Sequence, residues 1–114
     1  MTVEATIQSL LKPLAAGGCY PLTAPDPVVK PYIVFQIISD VQENGLDGYL
    51  GISNKRMQID AYATAYGAVK TLAGQIKAAM STAALSNLHL SSQDMYEPET
   101  QLYRITMDYS IWSE

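Results

Sequence analysis

Few side chains in this sequence are of the types that do covalent chemistry. His89 is the only histidine and Cys19 the only cysteine. A thiol beside an imidazole can act as an activated nucleophile, so the two residues are formally a nucleophile and a base. Nothing in their spacing joins them, and a lone cysteine generally packs as a small buried hydrophobe. One His and one Cys cannot supply the nitrogen and sulfur ligand set of a zinc centre, and no intrachain disulfide can form. Glu97 and Glu99 flank Pro98. Two acids so placed could serve general acid–base catalysis, but the segment reads as a solvated turn. Asp40, Glu43 and Asp47 could hold a hard cation, yet they lack the dense oxygen-ligand spacing of a calcium loop. There is no G-x-S-x-G elbow, Walker loop or G-x-G-x-x-G. The expectation is a protein with no catalytic residues, no cofactor and no metal, and therefore not an enzyme.

The elements that would position these residues are legible from periodicity. Val3, Ile7, Leu10 and Leu11 fall on one face of a helix, with Thr2 as N-cap and Glu4 in the favourable first turn. Pro13 kinks or ends that helix and Gly17-Gly18 closes it. Four prolines between Tyr20 and Pro31 predict an extended, stiff surface segment, with a short strand possible near Tyr20. Tyr32 to Ser39 reads as a strand that is apolar on both faces, and so central or covered on both sides. Asp40 to Gly51 contains Asn44-Gly45 and Asp47-Gly48, which are turn signals, and predicts a long hairpin loop. A strand from about Ile52 to Ala63 follows. Its core face carries Met57, Ile59, Ala61 and Ala63; its polar face carries Arg56, Gln58, Asp60 and Tyr62.

Thr64 can cap a second helix, Ala65 to about Met80, with core face Val69, Leu72, Ala73, Ile76 and Met80. Its opposite face is a stripe of small residues: Gly67, Thr71, Gly74 and Ala78. A glycine inside a helix costs about 1 kcal/mol against alanine. The stripe has two readings, an unconstrained exposed surface or the close backbone approach of a partner. Residues 85 to 96 form a weaker strand with Leu88 and Leu90 on one side. The last strand places Tyr103, Ile105, Met107, Tyr109 and Ile111 on one face. The order is α-β-β-α-β-β. It predicts a single domain over residues 1–114 of α+β class, an antiparallel sheet of four to five strands with two main helices on one face.

Composition sets further bounds. The chain has 114 residues, a hydrophobic share of 48%, a charged share of 16% and a net charge of −4. An average soluble domain is about 25% charged. An acidic chain is a poor ligand for duplex phosphate. The start, Met1-Thr2-Val3-Glu4, lacks the basic and apolar regions of a signal peptide, and no run is long enough for a membrane helix. The chain is expected to be soluble, made in the cytoplasm and not bound to membrane. Its aromatics are eight Tyr against one Phe and one Trp, which suits half-buried strand or interface positions.

One ordered block is more specific. Cys19-Tyr20-Pro21, Ala24-Pro25 and Pro31-Tyr32-Ile33-Val34-Phe35-Gln36 are followed by Leu46-Asp47-Gly48 and Gly51. Then come Arg56-Met57-Gln58-Ile59-Asp60-Ala61-Tyr62-Ala63 and a helix with Tyr66, Ala68 and Leu72. In order and spacing this resembles the small tail-completion, or tail-terminator, proteins of long-tailed bacteriophages and prophages, best from about residue 19 to 76. Phe35 stands where that family often has Tyr, and Cys19 where a β-branched residue is common. The resemblance implies an α+β fold and a structural role. The subunits assemble as a ring, usually hexameric, at the head-proximal end of the tail tube. They stop tube polymerisation and join the filled head. The partners implied are other copies of the chain, the tail tube protein and a head-side neck or connector protein. Genomic DNA only passes through the lumen. The location implied is the virion, with the host cytoplasm during assembly. The alternatives are another neck component, such as a head-closure or stopper protein, and a cytoplasmic module that binds a small molecule or peptide.

A ring of identical subunits needs head-to-tail contacts that close by rotation. Two groups are expected to make them or to meet the tube: Glu43, Asn44, Leu46, Asp47 and Tyr49 in the hairpin loop, and Gly67, Thr71, Gly74 and Ala78 on the helix. No charged residue occurs from Pro13 to Pro25 or from Ala78 to Gln93, and these two gaps are further candidate contact surfaces.

Overall fold

A computed structural model describes residues 2–25, 29–45, 48–83 and 85–113, with the backbone alone for residues 43–45 and 48–52. The first helix, α1 (Val3–Leu11), is capped by Thr2, whose Oγ1 accepts from the Ala5 N–H. It buries Val3, Ile7 and Leu11. Pro13 sits in a 3-10 turn over Lys12–Leu14, where its missing N–H leaves no helical bond unmade. A short strand, β1 (Cys19–Pro21), then pairs in parallel with β2 (Tyr32–Gly45), Cys19 opposite Ile33 and Pro21 opposite Phe35. Gln8 Nε2 donates to the Cys19 carbonyl at 3.0 Å and fastens α1 to this edge. Gly17 is required here by close approach: a Cβ would lie 1.7 Å from the Val29 carbonyl oxygen.

Next come β3 (Gly48–Ala63), α2 (Tyr66–Ser81), β4 (Ser86–Glu97) and β5 (Leu102–Ser113). The sheet order is β1-β2-β3-β5-β4. Every pair but β1–β2 is antiparallel, so the expected α+β class holds and the sheet has five of the expected four to five strands, with one parallel pair at the edge. Both helices cover one face. Ile7 and Leu11 of α1 and Val69, Leu72, Ala73, Ile76 and Met80 of α2 meet Ile33, Phe35, Met57, Ile59, Ile105, Met107, Tyr109 and Ile111 of the sheet. The core-facing positions predicted for β3 and β5 are those observed, with Tyr103 partly buried at the margin.

Four expectations need correction. Of the expected Asp40–Gly51 loop, residues 40–45 and 48–51 are strand. β2 and β3 stay paired to Gly45 opposite Gly48, because an antiparallel ladder needs backbone bonds and tolerates glycine at its end. The cap of α2 is Ala65, with no side-chain hydrogen bond; Thr64 lies one residue too early. β2 is central, between β1 and β3 as one alternative had it, but it is not covered along both faces: Ile33 and Phe35 are buried under helices and Val34 on the other face, while Ile38 is exposed. Asp60, expected on a polar surface, is 5% exposed.

Candidate functional site

The long hairpin sets the outline of the molecule. A strand rises about 3.3 Å per residue, so the 14 residues of β2 span most of the 51 Å long axis; the other extents are 25 and 23 Å. β1 covers β2 only at Ile33–Phe35, and β5 accompanies β3 no further than Ser53 opposite Ser113. Beyond these points the hairpin is an arm. Register shifts between Ile37 and Ser39 and between Glu43 and Asn44 add the local twist and bend of β-bulges.

The root of the arm is fixed by polar contacts. Lys55 Nζ donates to Ser53 Oγ at 2.7 Å and Ser113 Oγ at 3.1 Å, and pairs with Asp40 at 3.6 Å. Asn54 Nδ2 donates to Ser110 Oγ at 2.7 Å. The Lys55 side chain is largely buried, and three oxygens meet its ammonium where water is scarce.

The arm residues expected at an interface are placed by register: Glu43 opposite Ile52, and Asn44 opposite Tyr49. Leu46 and Asp47 lie outside the described residues. The α2 group is fully described. Gly67, Thr71, Gly74 and Ala78 are all exposed, Thr71 Oγ1 donates to the Gly67 carbonyl, and a Cβ on Gly67 or Gly74 would meet nothing within 4 Å. The glycines therefore answer no packing need inside one subunit. Beside them Lys70 pairs with Asp94 of β4 at 2.8 Å, and the Tyr66 hydroxyl donates to the same carboxylate at 2.7 Å. Hydrogen bonds from Lys70 and Tyr66 hold the Asp94 carboxyl below its ordinary range. The two groups do not meet within one subunit: the stripe faces solvent over the body, and Glu43 and Asn44 lie beyond the last β3–β5 pair.

The face of the sheet without helices carries a charged cluster that periodicity alone does not reveal. Arg104 on β5 pairs with Asp60 at 3.1 Å and Glu97 at 3.7 Å. Gln58 Nε2 donates to both Asp60 oxygens. The guanidinium lies 5.6 Å from the centroid of the Tyr62 ring, which stacks on Tyr32 at 4.7 Å. Burial pushes the Tyr62 phenol up to about 12, against the Arg104 charge. Beside the stacked rings Leu22–Pro25 turns over this face and bounds a cavity of ≈ 230 Å³ with Tyr32, Val34 and Tyr62.

The residues first considered for chemistry are dispersed. Cys19 is buried, and burial pushes its thiol up to about 12. His89 is on β4, edge-on to Tyr109. Cys19 and His89 thus occupy opposite edge strands, four strand spacings or about 19 Å apart across the sheet, and are offset along it as well, since the register from Cys19 leads to Asp94 rather than His89. Glu97 is engaged by Arg104 and Asp40 by Lys55. Among the described residues no three His, Cys, Asp or Glu side chains come together as a metal site. No described helix is long and apolar enough to cross a membrane.

Comparison with known proteins gives one family. The family model described as "Tail completion protein gp17" matches residues 5–114. No curated protein matches the chain. Among solved structures, a chain of the virion of a native gene transfer agent (GTA) particle superposes with a TM-score of 0.77. The alignment covers 96% of this chain and 92% of that one at 13% sequence identity, a likeness of fold.

Proposed function

The chain belongs to the tail completion protein gp17 family, and from that premise we propose that it caps the head-proximal end of a phage tail tube. A structural role in tail completion follows from the family. The position, the ring and the partners named next are the proposal. Copies of the chain form a closed hexameric ring, halt tube polymerisation and present a surface to the head-side connector. One face of the ring meets the tail tube protein. Its residence is the virion, after assembly in the host cytoplasm. DNA passes the lumen without being held, since a net charge of −4 per subunit repels a polyanion.

The observation that carries this reading is the family match over residues 5–114. The form of the molecule supports it. The arm leaves the body without a companion strand, and the small-residue stripe on α2 has no packing use in the monomer. Both are surfaces suited to a neighbouring copy or to the tube.

A phage or prophage lacking this gene is expected to make filled heads beside unjoined, overlong tails in electron micrographs. Normal heads with no tails at all would overturn the reading. Deleting residues 43–49 is expected to leave a folded protein that no longer completes tails. Normal infectious yield from that deletion would remove the arm from the proposal.

A further inference from the structure

The sheet ends in two different open edges. At one side is β4, 12 residues long. Proteins commonly guard an exposed edge strand with charges, proline, shortness or a bulge, and the guards on β4 are one bulge and the acids Asp94 and Glu97 at its far end. β4 contains no lysine and no proline, and from Ser86 to Gln93 it carries no charged residue. Its one irregularity is the shift between His89 and Ser91. Leu88 and Leu90 on it are 56% and 41% exposed. At the other side is the outer edge of β2 beyond Phe35, where β1 stops and no partner exists among the described residues. Ile38 and Val41 there are 51% and 58% exposed. The Ile33 N–H and the Phe35 carbonyl already bond outward to Gly18 and Leu22, so the backbone of this edge faces out and continues unsatisfied along the arm.

We propose that β4 of one copy pairs strand to strand with the arm edge of β2 in the next copy, so that the sheet runs on from subunit to subunit. This rests on the ring reading above and names the contact that closes it. The two edges lie on opposite sides of one sheet, so the contact is head-to-tail and propagates, as a ring requires. Charge favours the pairing. Along the β2 edge strand, residues 36–45 carry two acidic residues and no basic one, and Lys55 on β3 offsets only Asp40. Two such edge strands side by side would bring acidic segments into one ladder, whereas the Ser86–Gln93 edge has no charged residue to oppose them. Each edge also brings two exposed aliphatic side chains, and neighbouring strands cover part of their apolar surface. Two β4 strands joined about a two-fold axis would close a dimer and leave both arms unused.

The test uses whole particles. A photo-reactive phenylalanine analogue replaces Leu88, and cross-links are mapped by mass spectrometry in virions of mixed isotopic label. The expected capture is residues 36–45 of a different copy; the reciprocal probe at Val41 should capture residues 86–93. Capture of β4 by β4, capture of another virion protein, or no capture while micrographs show the ring overturns this contact and leaves the ring standing. Micrographs without a ring overturn the ring reading, and this contact with it. Leu90→Lys should lower infectious yield about tenfold with unchanged thermal unfolding of the isolated protein; an unchanged yield overturns the proposal.

Discussion

The body and the arm are built from the same two strands by different means. In the body, β2 and β3 hold Ile33, Phe35, Met57 and Ile59 under two helices, and each of these side chains is almost completely out of water. Past Phe35 the pair loses β1, past Ile37 the helices, and past Ser53 the last of β5. The arm is left with a backbone ladder and a polar clamp at its root, Lys55 with Asp40, Ser53 and Ser113. Stability is concentrated in one region and reach in the other. Isolated two-stranded hairpins are marginal in water, so the arm depends on the body that anchors it, whereas the body owes little to the arm.

Three substitutions press on that contrast. The largest effect is expected at Phe35, 1% exposed in the centre of the core. Phe35→Ala should cost about 3–5 kcal/mol, read as a large fall in the denaturation midpoint. A cost near that of an exposed site would mean the body is not the stabilising region. The second is Lys55→Ala at the root. It leaves Ser53 and Ser113 without their shared donor and should cost about 1–3 kcal/mol. Hydrogen exchange should quicken at amides 40–44 and stay slow at Ile59 and Met107. Equal quickening in both regions would erase the boundary between them. The smallest is Gly74→Ala on α2. With open space where the Cβ would go, it should stabilise the isolated protein by about 0.5–1 kcal/mol, seen as a slightly raised melting temperature. A loss of stability would show that the stripe already has a packing role within the subunit.

What was legible in the sequence follows the range of the forces involved. The core face of α2, the cap at Thr2 and the alternation along β5 are local patterns, and all three stand as expected. The arm escapes the sequence because Asn44-Gly45 and Asp47-Gly48 both look like turns. Only the backbone pairing of β2 with β3, which no side-chain pattern encodes, carries the ladder through the first of them. Asp60 escapes the sequence for another reason. It sits at a polar position of an alternating strand, and what buries it is Arg104, 44 residues away. The proposed interface group divides in the same way. The α2 stripe was visible as spacing and is exposed as a stripe. Glu43, Asn44 and Tyr49 have turn-rich surroundings in the sequence and stand in paired strands.

The clamp and the ladder also say how the arm bears load. Hydrogen bonds between antiparallel strands lie across the strand direction. A pull along the arm therefore shears many of them at once, while a sideways pull at its end opens them one after another. Lys55, with Asp40 on β2, Ser53 on its own strand and Ser113 on β5, rivets three adjacent strands where bending moment is greatest. The hairpin is consequently stiff in tension and yielding in flexure, like a leaf spring clamped at one end.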